Sequence, residues 1–144
     1  MSEASAGRDG ERGMAVVEFV LLFPLFILVL ELIVVGGRVA ATHADVQSAA
    51  REAARQASIS AGPSSATGVL GPTVDASLKS KGVSCQTRTV RFASGTNFVP
   101  GGAVEVEVTC IVSLSDIDLL KAPGAVTVTR TAVEPIEKYR VVEP

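Results

Sequence analysis

Apolar residues are spaced in three different ways along the chain, and the first stretch is an almost unbroken apolar run. Residues 14–35 contain only two charged side chains, Glu18 and Glu31. As a helix rising ~1.5 Å per residue, this run would extend roughly 33 Å, enough to cross a bilayer core of ~30 Å. The run therefore predicts a transmembrane helix.

Two other interpretations of this run compete with a membrane anchor. One is a buried core helix, but the rest of the chain is too short to cover such a helix on all sides. The other is a cleaved secretory signal, because Val39, Ala40 and Ala41 loosely resemble a small-residue cleavage site. The run is longer than the ~7 to 15 residues of a usual signal core, which favours the anchor.

A helical pattern continues beyond the run. Residues 36–59 begin with two glycines but are otherwise rich in Ala, Arg, Glu and Gln, which form helices well. Small apolar side chains recur at helical spacing at Val39, Val46, Ala50, Ala53 and Ala57. We therefore expect one long helix that extends outside the membrane and packs through this stripe.

Glycine, proline and serine are concentrated in residues 60–72, which predicts an irregular linker. A short helix is expected over residues 73–81, with Val74 and Leu78 on one face and Gly82 placed to end it. The chain would then turn into a different kind of structure.

From Val83 onward the apolar period is alternating. The alternation is clearest in residues 104–114, and residues 83–92 and 125–133 flank that strand across glycine- and proline-containing turns. An antiparallel sheet of about three strands is the economical arrangement. The predicted fold class is α+β, with the long helix packed on a small β-rich head formed by residues 73–144.

The composition argues against several classes of function. A formal net charge of −2 provides no basic footprint for nucleic acid, so we expect none to be bound directly. One histidine and two cysteines occur, with no metal-ligand spacing, no phosphate loop and no nucleophile elbow. We therefore expect no enzymatic activity, no cofactor and no metal.

The informative feature is the junction at which the polar N-terminal residues meet the apolar run. Glu18 lies five residues after Gly13, inside the run, where an ionisable group costs up to ~2.5 to 3.5 kcal/mol at the centre of a membrane helix and less near its ends. Cleavage after Gly13 would create an α-amino group on Met14. Glu18, one helical turn away, would be within reach of that cation in the same or an adjacent subunit.

This junction resembles the class III signal of type IV pilins, and more narrowly the TadE-like family of tight-adherence (Flp-type) pilus systems. The shared pattern comprises Gly13, Glu18–Phe19, Pro24, Glu31, Gly37–Arg38 and the alanine-rich residues 49–55. The resemblance covers roughly residues 12–58.

The resemblance implies a pilin-like fold and the function of a membrane-anchored minor pilin or pseudopilin. Residues 1–13 would be a leader that a prepilin peptidase removes between Gly13 and Met14 on the cytoplasmic side. The implied partners are other pilins or pseudopilins, the inner-membrane assembly platform and the lipid bilayer. The head would lie outside the cytoplasm, in the membrane or in a surface pilus.

Individual residues take roles from the same resemblance. Glu18, with Phe19 beside it, would form the assembly contact with a neighbouring N-terminus. Pro24 removes a backbone donor, so a kink or local loosening is expected, although plain tolerance of proline in membrane helices is an equal alternative. Glu31 and Arg38 lie seven residues apart and nearly on the same face, which predicts an ion pair at the membrane interface.

The two cysteines can form only one intramolecular pair. In the oxidising surroundings that the resemblance implies for the head, we expect a disulfide between Cys85 and Cys110. A symmetric hairpin about residues 93–102 would set them directly opposite each other and would place Arg88 opposite Glu107. Two buried free thiols are the alternative.

Two other classes of function stay open on the sequence. One is a secreted binding domain, and the other is a membrane-anchored extracytoplasmic domain, binding, sensory or enzymatic, that is unrelated to pili.

Overall fold

The computed structural model of the chain describes residues 6–113 and 124–139, with side chains from residue 16 onward. Two helices precede three strands: α1 (Ala6–Ile59), α2 (Pro63–Ser80), β1 (Thr87–Phe92), β2 (Ala103–Ser113) and β3 (Ala125–Pro135). Contacts separate the chain into two units, Met1–Arg38 and Val39–Pro144. Residues 1–5 of the predicted leader, Leu114 of the predicted central strand and residues 140–144 of the head lie outside the described residues.

The first unit contains the N-terminal part of α1, whose large apolar side chains are exposed. The helix is continuous through residues 14–35 and through the glycine pair that follows, as predicted. Phe19 is 67% exposed and Leu21 72%, and residues 16–30 are exposed without exception. This pattern is the opposite of a buried core helix, because the described part of the unit leaves the apolar surface uncovered.

The second unit contains an antiparallel sheet in the order β1–β2–β3. Alternate residues of β2 from Val104 to Cys110 are fully buried, while the residues between them are half-buried. The buried face packs with the C-terminal part of α1 and with α2 in one core. The predicted α+β class and the three-stranded antiparallel sheet are confirmed, and the architecture is consistent with a pilin-like fold.

Helix α1 enters this core through small side chains. Its six fully buried residues, called here the core stripe, are Val46, Ala49, Ala50, Ala53, Ala54 and Ala57. Alanine occupies little space, so the helix backbone can lie close to the valines of the sheet. Val39, expected to belong to the stripe, is only half-buried.

Helix α2 begins much earlier than predicted. Residues 63–72, expected to be irregular, are helical, and only residues 60–62 form bends. Pro63 occupies the first helical position, where a missing N–H leaves no bond unmade. The Ser65 hydroxyl accepts a hydrogen bond from the Gly62 N–H over 3.0 Å and so stabilises the start of the helix.

Burial explains why the helix tolerates its glycines and Pro72. Ala66 and Leu70 continue the apolar face that Val74 and Leu78 form, and all four side chains are buried. Packing of an amphipathic face stabilises most protein helices more than intrinsic propensity does. The linker prediction was therefore wrong because it weighed local composition alone.

Gly82 ends α2 as expected. Its φ of 70° is in the left-handed region, and the N–H groups of Gly82 and Val83 bond to the carbonyls of Lys79 and Leu78 over 3.1 and 3.0 Å. These two bonds are the Schellman pattern, which glycine adopts without steric cost.

The register between β1 and β2 differs from the prediction by three residues. Arg88 lies opposite Cys110 rather than opposite Glu107, and Arg91 lies opposite Glu107. The predicted register would have placed Val90 and Phe92 on the face opposite to the buried valines of β2, because an odd shift exchanges the faces of a strand. In the observed register both side chains pack on the core.

Candidate functional site: the apolar helix and the disulfide-bonded head

Glu18 lies on an uncovered, apolar part of α1. The side chain is exposed, and its neighbours Val17 and Phe19 are 60% and 67% exposed. Among the described side chains none forms an ion pair or hydrogen bond with the Glu18 carboxylate. A carboxylate in such surroundings can act on a cation brought by another chain or by a new N-terminus.

The residues around Glu18 follow the regular spacing of helix α1. Phe19 and Phe23, one turn apart, place their ring centroids 5.8 Å from each other. Pro24 follows inside a helix that continues without interruption. The kink at Pro24 stays a prediction. So does the assembly contact that Glu18, with Phe19 beside it, would form with a neighbouring N-terminus. Gly13 and Met14 are helical in backbone.

Glu31 is the other carboxylate of the apolar run and is half-buried. It lies thirteen residues after Glu18, so at 100° per residue the two carboxylates project from different sides of the helix. They cannot form a joint acid–base pair. The proposed partner of Glu31 is Arg38, seven residues on, and this ion pair also stays a prediction.

The disulfide prediction is confirmed, although the register argument for it was wrong. Cys85 and Cys110 are bonded, with their Cα atoms 5.4 Å apart. Cys85 lies two residues before β1 begins, and a bend at Gln86 separates it from the strand. This bend brings Cys85 to the core side, where the strand alternation alone would have turned it outward.

The two sulfurs have different surroundings. Cys110 is fully buried, whereas Cys85 is half-buried and borders an open cleft of about 310 Å³. The cleft is lined by Asp75, Leu78, Lys79, Val83, Cys85 and Arg88. Lys79 and Arg88 are basic and Asp75 is acidic, and of the two bonded cysteines Cys85 is the one that lines this cleft.

Arg88 links α2 to the sheet at this cleft, a role that the sequence reasoning missed. Its guanidinium donates to the Gly71 carbonyl over 2.8 Å and lies 2.8 Å from an Asp75 carboxylate oxygen. The sequence feature that could have revealed this role is the position of Arg88 in β1, on the same face as Val90 and Phe92. An arginine at an inward position needs a partner, which identifies it once the register is known.

His43 and Gln47 connect α1 to β3 and were also missed. Arg130 Nη2 lies 2.6 Å from His43 Nδ1, and Gln47 Nε2 donates to the Thr131 carbonyl over 3.1 Å. Because arginine only donates, His43 Nδ1 is the acceptor in this contact. These contacts fix the C-terminal part of α1 across the third strand.

No group of three or more metal-ligating side chains occurs in the part of the chain that the structure describes. Within the described residues, two structural features are candidates for carrying the function. These are the exposed apolar helix and the disulfide-bonded head.

Helix α1 is long and apolar enough to cross a membrane. The stretch Val16–Ile59 contains a window of mean hydropathy 2.9, none of which is buried. The model of the family "TadE-like protein" matches residues 13–55. That segment of the chain is TadE-like. No match to the chain was found among curated proteins or among solved structures.

The TadE-like segment (residues 13–55) begins at the predicted cleavage junction and ends within the core stripe. It contains Glu18, Pro24, Glu31 and Arg38, so the family match concerns α1 and not the sheet. The match associates this segment with a pilus-related, structural family, and the apolar helix found within the described residues indicates membrane anchoring.

Proposed function

We propose that the chain is a TadE-like minor pilin or pseudopilin, a structural subunit that takes part in assembling a tight-adherence (Flp-type) pilus. The observation that carries the proposal is an exposed carboxylate, Glu18, near the start of an uncovered apolar helix that matches the TadE-like family. This arrangement suits a subunit stored in a membrane and then packed against other subunits.

In this proposal residues 1–13 are a leader and residues 14–35 span the membrane. Residues 36–59 continue the helix outside the membrane, and residues 73–144 belong to the extracytoplasmic head. The disulfide supports this orientation, because disulfides persist in oxidising compartments and are rare in the cytosol. The subunit acts through contacts and not through catalysis.

Processing by a prepilin peptidase is the first step of the proposed function. Cleavage after Gly13 exposes the amine of Met14, four residues before Glu18. Intact-mass and N-terminal mass spectrometry of protein from the native host should show a chain that starts at Met14. A start at Thr42 would support a secreted protein, and an intact Met1 would mean that the leader is not removed.

Assembly then depends on Glu18. Pairing with the Met14 amine of a neighbouring subunit offsets the cost of placing the carboxylate in lipid. Glu18→Gln removes both the cost of placing a carboxylate in lipid and the charge that pairs with the Met14 amine. Membrane insertion should therefore be retained or improved, while incorporation into pilus-associated complexes falls.

A matched control comes from the same helix. Glu52 is exposed and lies among charged residues beyond the apolar run, so Glu52→Gln makes the same chemical change in a watery setting. Co-purification with the pilins and the inner-membrane assembly platform should decrease for Glu18→Gln and not for Glu52→Gln. Equal co-purification of both variants with wild type would contradict the pairing role of Glu18.

A further inference from the structure

The disulfide joins a half-buried cysteine to a fully buried one, and this asymmetry determines how it can react. Cys110 is fully buried in β2 and belongs to the same core cluster as Val108 and the core stripe of α1. Cys85 borders the cleft, where a thiol or disulfide of another molecule can approach. Thiol–disulfide exchange requires an attacking sulfur to reach its target along the S–S axis, so access decides which sulfur reacts.

We infer that Cys85 is the exchange site of this protein, the cysteine that forms a mixed disulfide with a disulfide-bearing oxidant, and that Cys110 is the resolving cysteine. The inference rests on the proposed function only in assuming that the head meets such an oxidant. Its chemistry is testable on the purified chain, whatever the protein assembles with.

The disulfide forms in two exchange steps. The Cys85 thiolate attacks the oxidant's disulfide, a Cys85–oxidant S–S bond forms, and one oxidant sulfur leaves as a thiolate. Cys110 then loses its proton to solvent and attacks the Cys85 sulfur, releasing the second oxidant sulfur as a thiolate. The two cysteines lose two protons and two electrons, and the oxidant takes up the electrons.

The surroundings of Cys85 favour the first step. Lys79 lines the same cleft, and positive charge near a thiol stabilises the thiolate that attacks, while the charge of Arg88 is already paired with Asp75. Cys110 is fully buried in the core, where an attacking molecule cannot reach it and a thiolate is poorly solvated, so its role is restricted to the intramolecular step. The same burial makes Cys110 a poor leaving group and protects the finished disulfide against reduction.

Single-cysteine variants of the full chain in detergent test the assignment. Cys110→Ala retains Cys85, and Cys85→Ala retains Cys110. With glutathione disulfide as the probe under native conditions, intact mass should show Cys85 forming the adduct at least about ten-fold faster than Cys110. In denaturant the two rates should be equal, which controls for intrinsic reactivity. Equal native rates in folded variants, or a faster Cys110, would overturn the inference.

The wild-type protein gives an independent answer if a variant does not fold. The intact disulfide is treated briefly with reduced glutathione under native conditions, the reaction is stopped with acid, and the adduct is located by peptide mass mapping. Glutathione should be found on Cys85. An adduct mainly on Cys110 would refute the assignment even if the chain proves to be a pilus subunit.

The source of the oxidant is distinguished in the native host. Cys110→Ala cannot resolve a mixed disulfide, so the exported variant should carry an adduct at Cys85. A protein-sized adduct would identify an oxidase, and a small adduct would identify a low-molecular-weight thiol. Exported variant with a free Cys85 thiol would contradict the role in the host.

Discussion

Two parts of one helix have opposite surroundings. In residues 16–35 of α1, large side chains such as Phe19 and Leu28 are exposed. In residues 46–57, the apolar side chains are small and those of the core stripe are fully buried. Both parts have the same backbone geometry. Side-chain size and surroundings, not helix propensity, therefore separate them.

The chain divides its apolar surface according to side-chain size. Alanine and valine suit a helix that must lie close to a sheet, because they leave room for the valines of β2. Leucine, isoleucine and phenylalanine suit a helix that meets lipid or other subunits, because they offer a large apolar area. Exposure therefore has a different meaning in the two parts, because an exposed leucine in residues 16–35 indicates a surface that meets lipid or other subunits.

The largest expected effect is a charge in the first part. Leu28→Arg should reduce membrane retention, because the exchange costs about 3 to 4 kcal/mol at the centre of a membrane helix. Gln56→Arg, at an exposed position of the second part, should not. Membrane flotation of both variants is the measurement. If Leu28→Arg remains fully membrane-bound, residues 16–35 do not cross the bilayer.

Removal of the disulfide should destabilise the head, including the second part of α1, and leave residues 16–35 unaffected. The bond closes a loop with a sequence separation of 25 residues. The double change Cys85→Ser and Cys110→Ser should lower the free energy of unfolding of the head by roughly 3 kcal/mol. Denaturant unfolding measures this, and circular dichroism should show the helicity of residues 16–35 unchanged. A loss of less than about 1 kcal/mol would show that the core alone suffices.

Overfilling the core stripe should cost less. Ala53→Leu inserts a large side chain where α1 lies on the sheet and should destabilise the head by about 1 to 3 kcal/mol. Ala44→Leu makes the same change at an exposed position of the same helix and should have little effect. Thermal unfolding compares the two. Equal melting temperatures would mean that the stripe is not closely packed.

The smallest effect is expected from two glycines with different conformations. Gly82 has positive φ, so Gly82→Ala should destabilise the head by about 1 kcal/mol. A Cβ at Gly37 meets nothing within 4 Å, so Gly37→Ala should leave head stability unchanged. If Gly37→Ala nevertheless impairs co-purification with pilus components, another subunit packs closely against the first part.

Most of the fold could be predicted because hydrophobic period is a local property. The helical spacing up to Ala57 and the alternation in β2 indicated element type without knowledge of the tertiary structure. The start of α2 could not be predicted this way, since Pro63 and Gly68 look like linker residues until Ala66 and Leu70 are seen to be buried. The disulfide could be predicted although its cysteines lie 25 residues apart, because the chain has only two cysteines, whereas the roles of Gly13 and Glu18 stay predictions.

The register of β1 on β2 depends on contacts between the two strands and their connection, not on the sequence of either strand alone. The register argument relied on the symmetry of the connection, but the structure matches Val90 with Val108 and Phe92 with Val106. Thr96 stabilises the connection, because its hydroxyl bonds both the N–H and the carbonyl of Glu105. Both interactions join residues that are distant in sequence, so neither strand alone reveals them.

The apolar run, the order of helix and strands, the TadE-like junction and the cysteine pair could all be predicted from the sequence, because each depends on residue type and spacing. The folded structure was needed to see that Cys85 is half-buried and Cys110 fully buried, and that Arg88 and His43 join helices to the sheet. The physical reason is that burial and pairing are properties of two surfaces in contact. A spacing pattern describes only one of them.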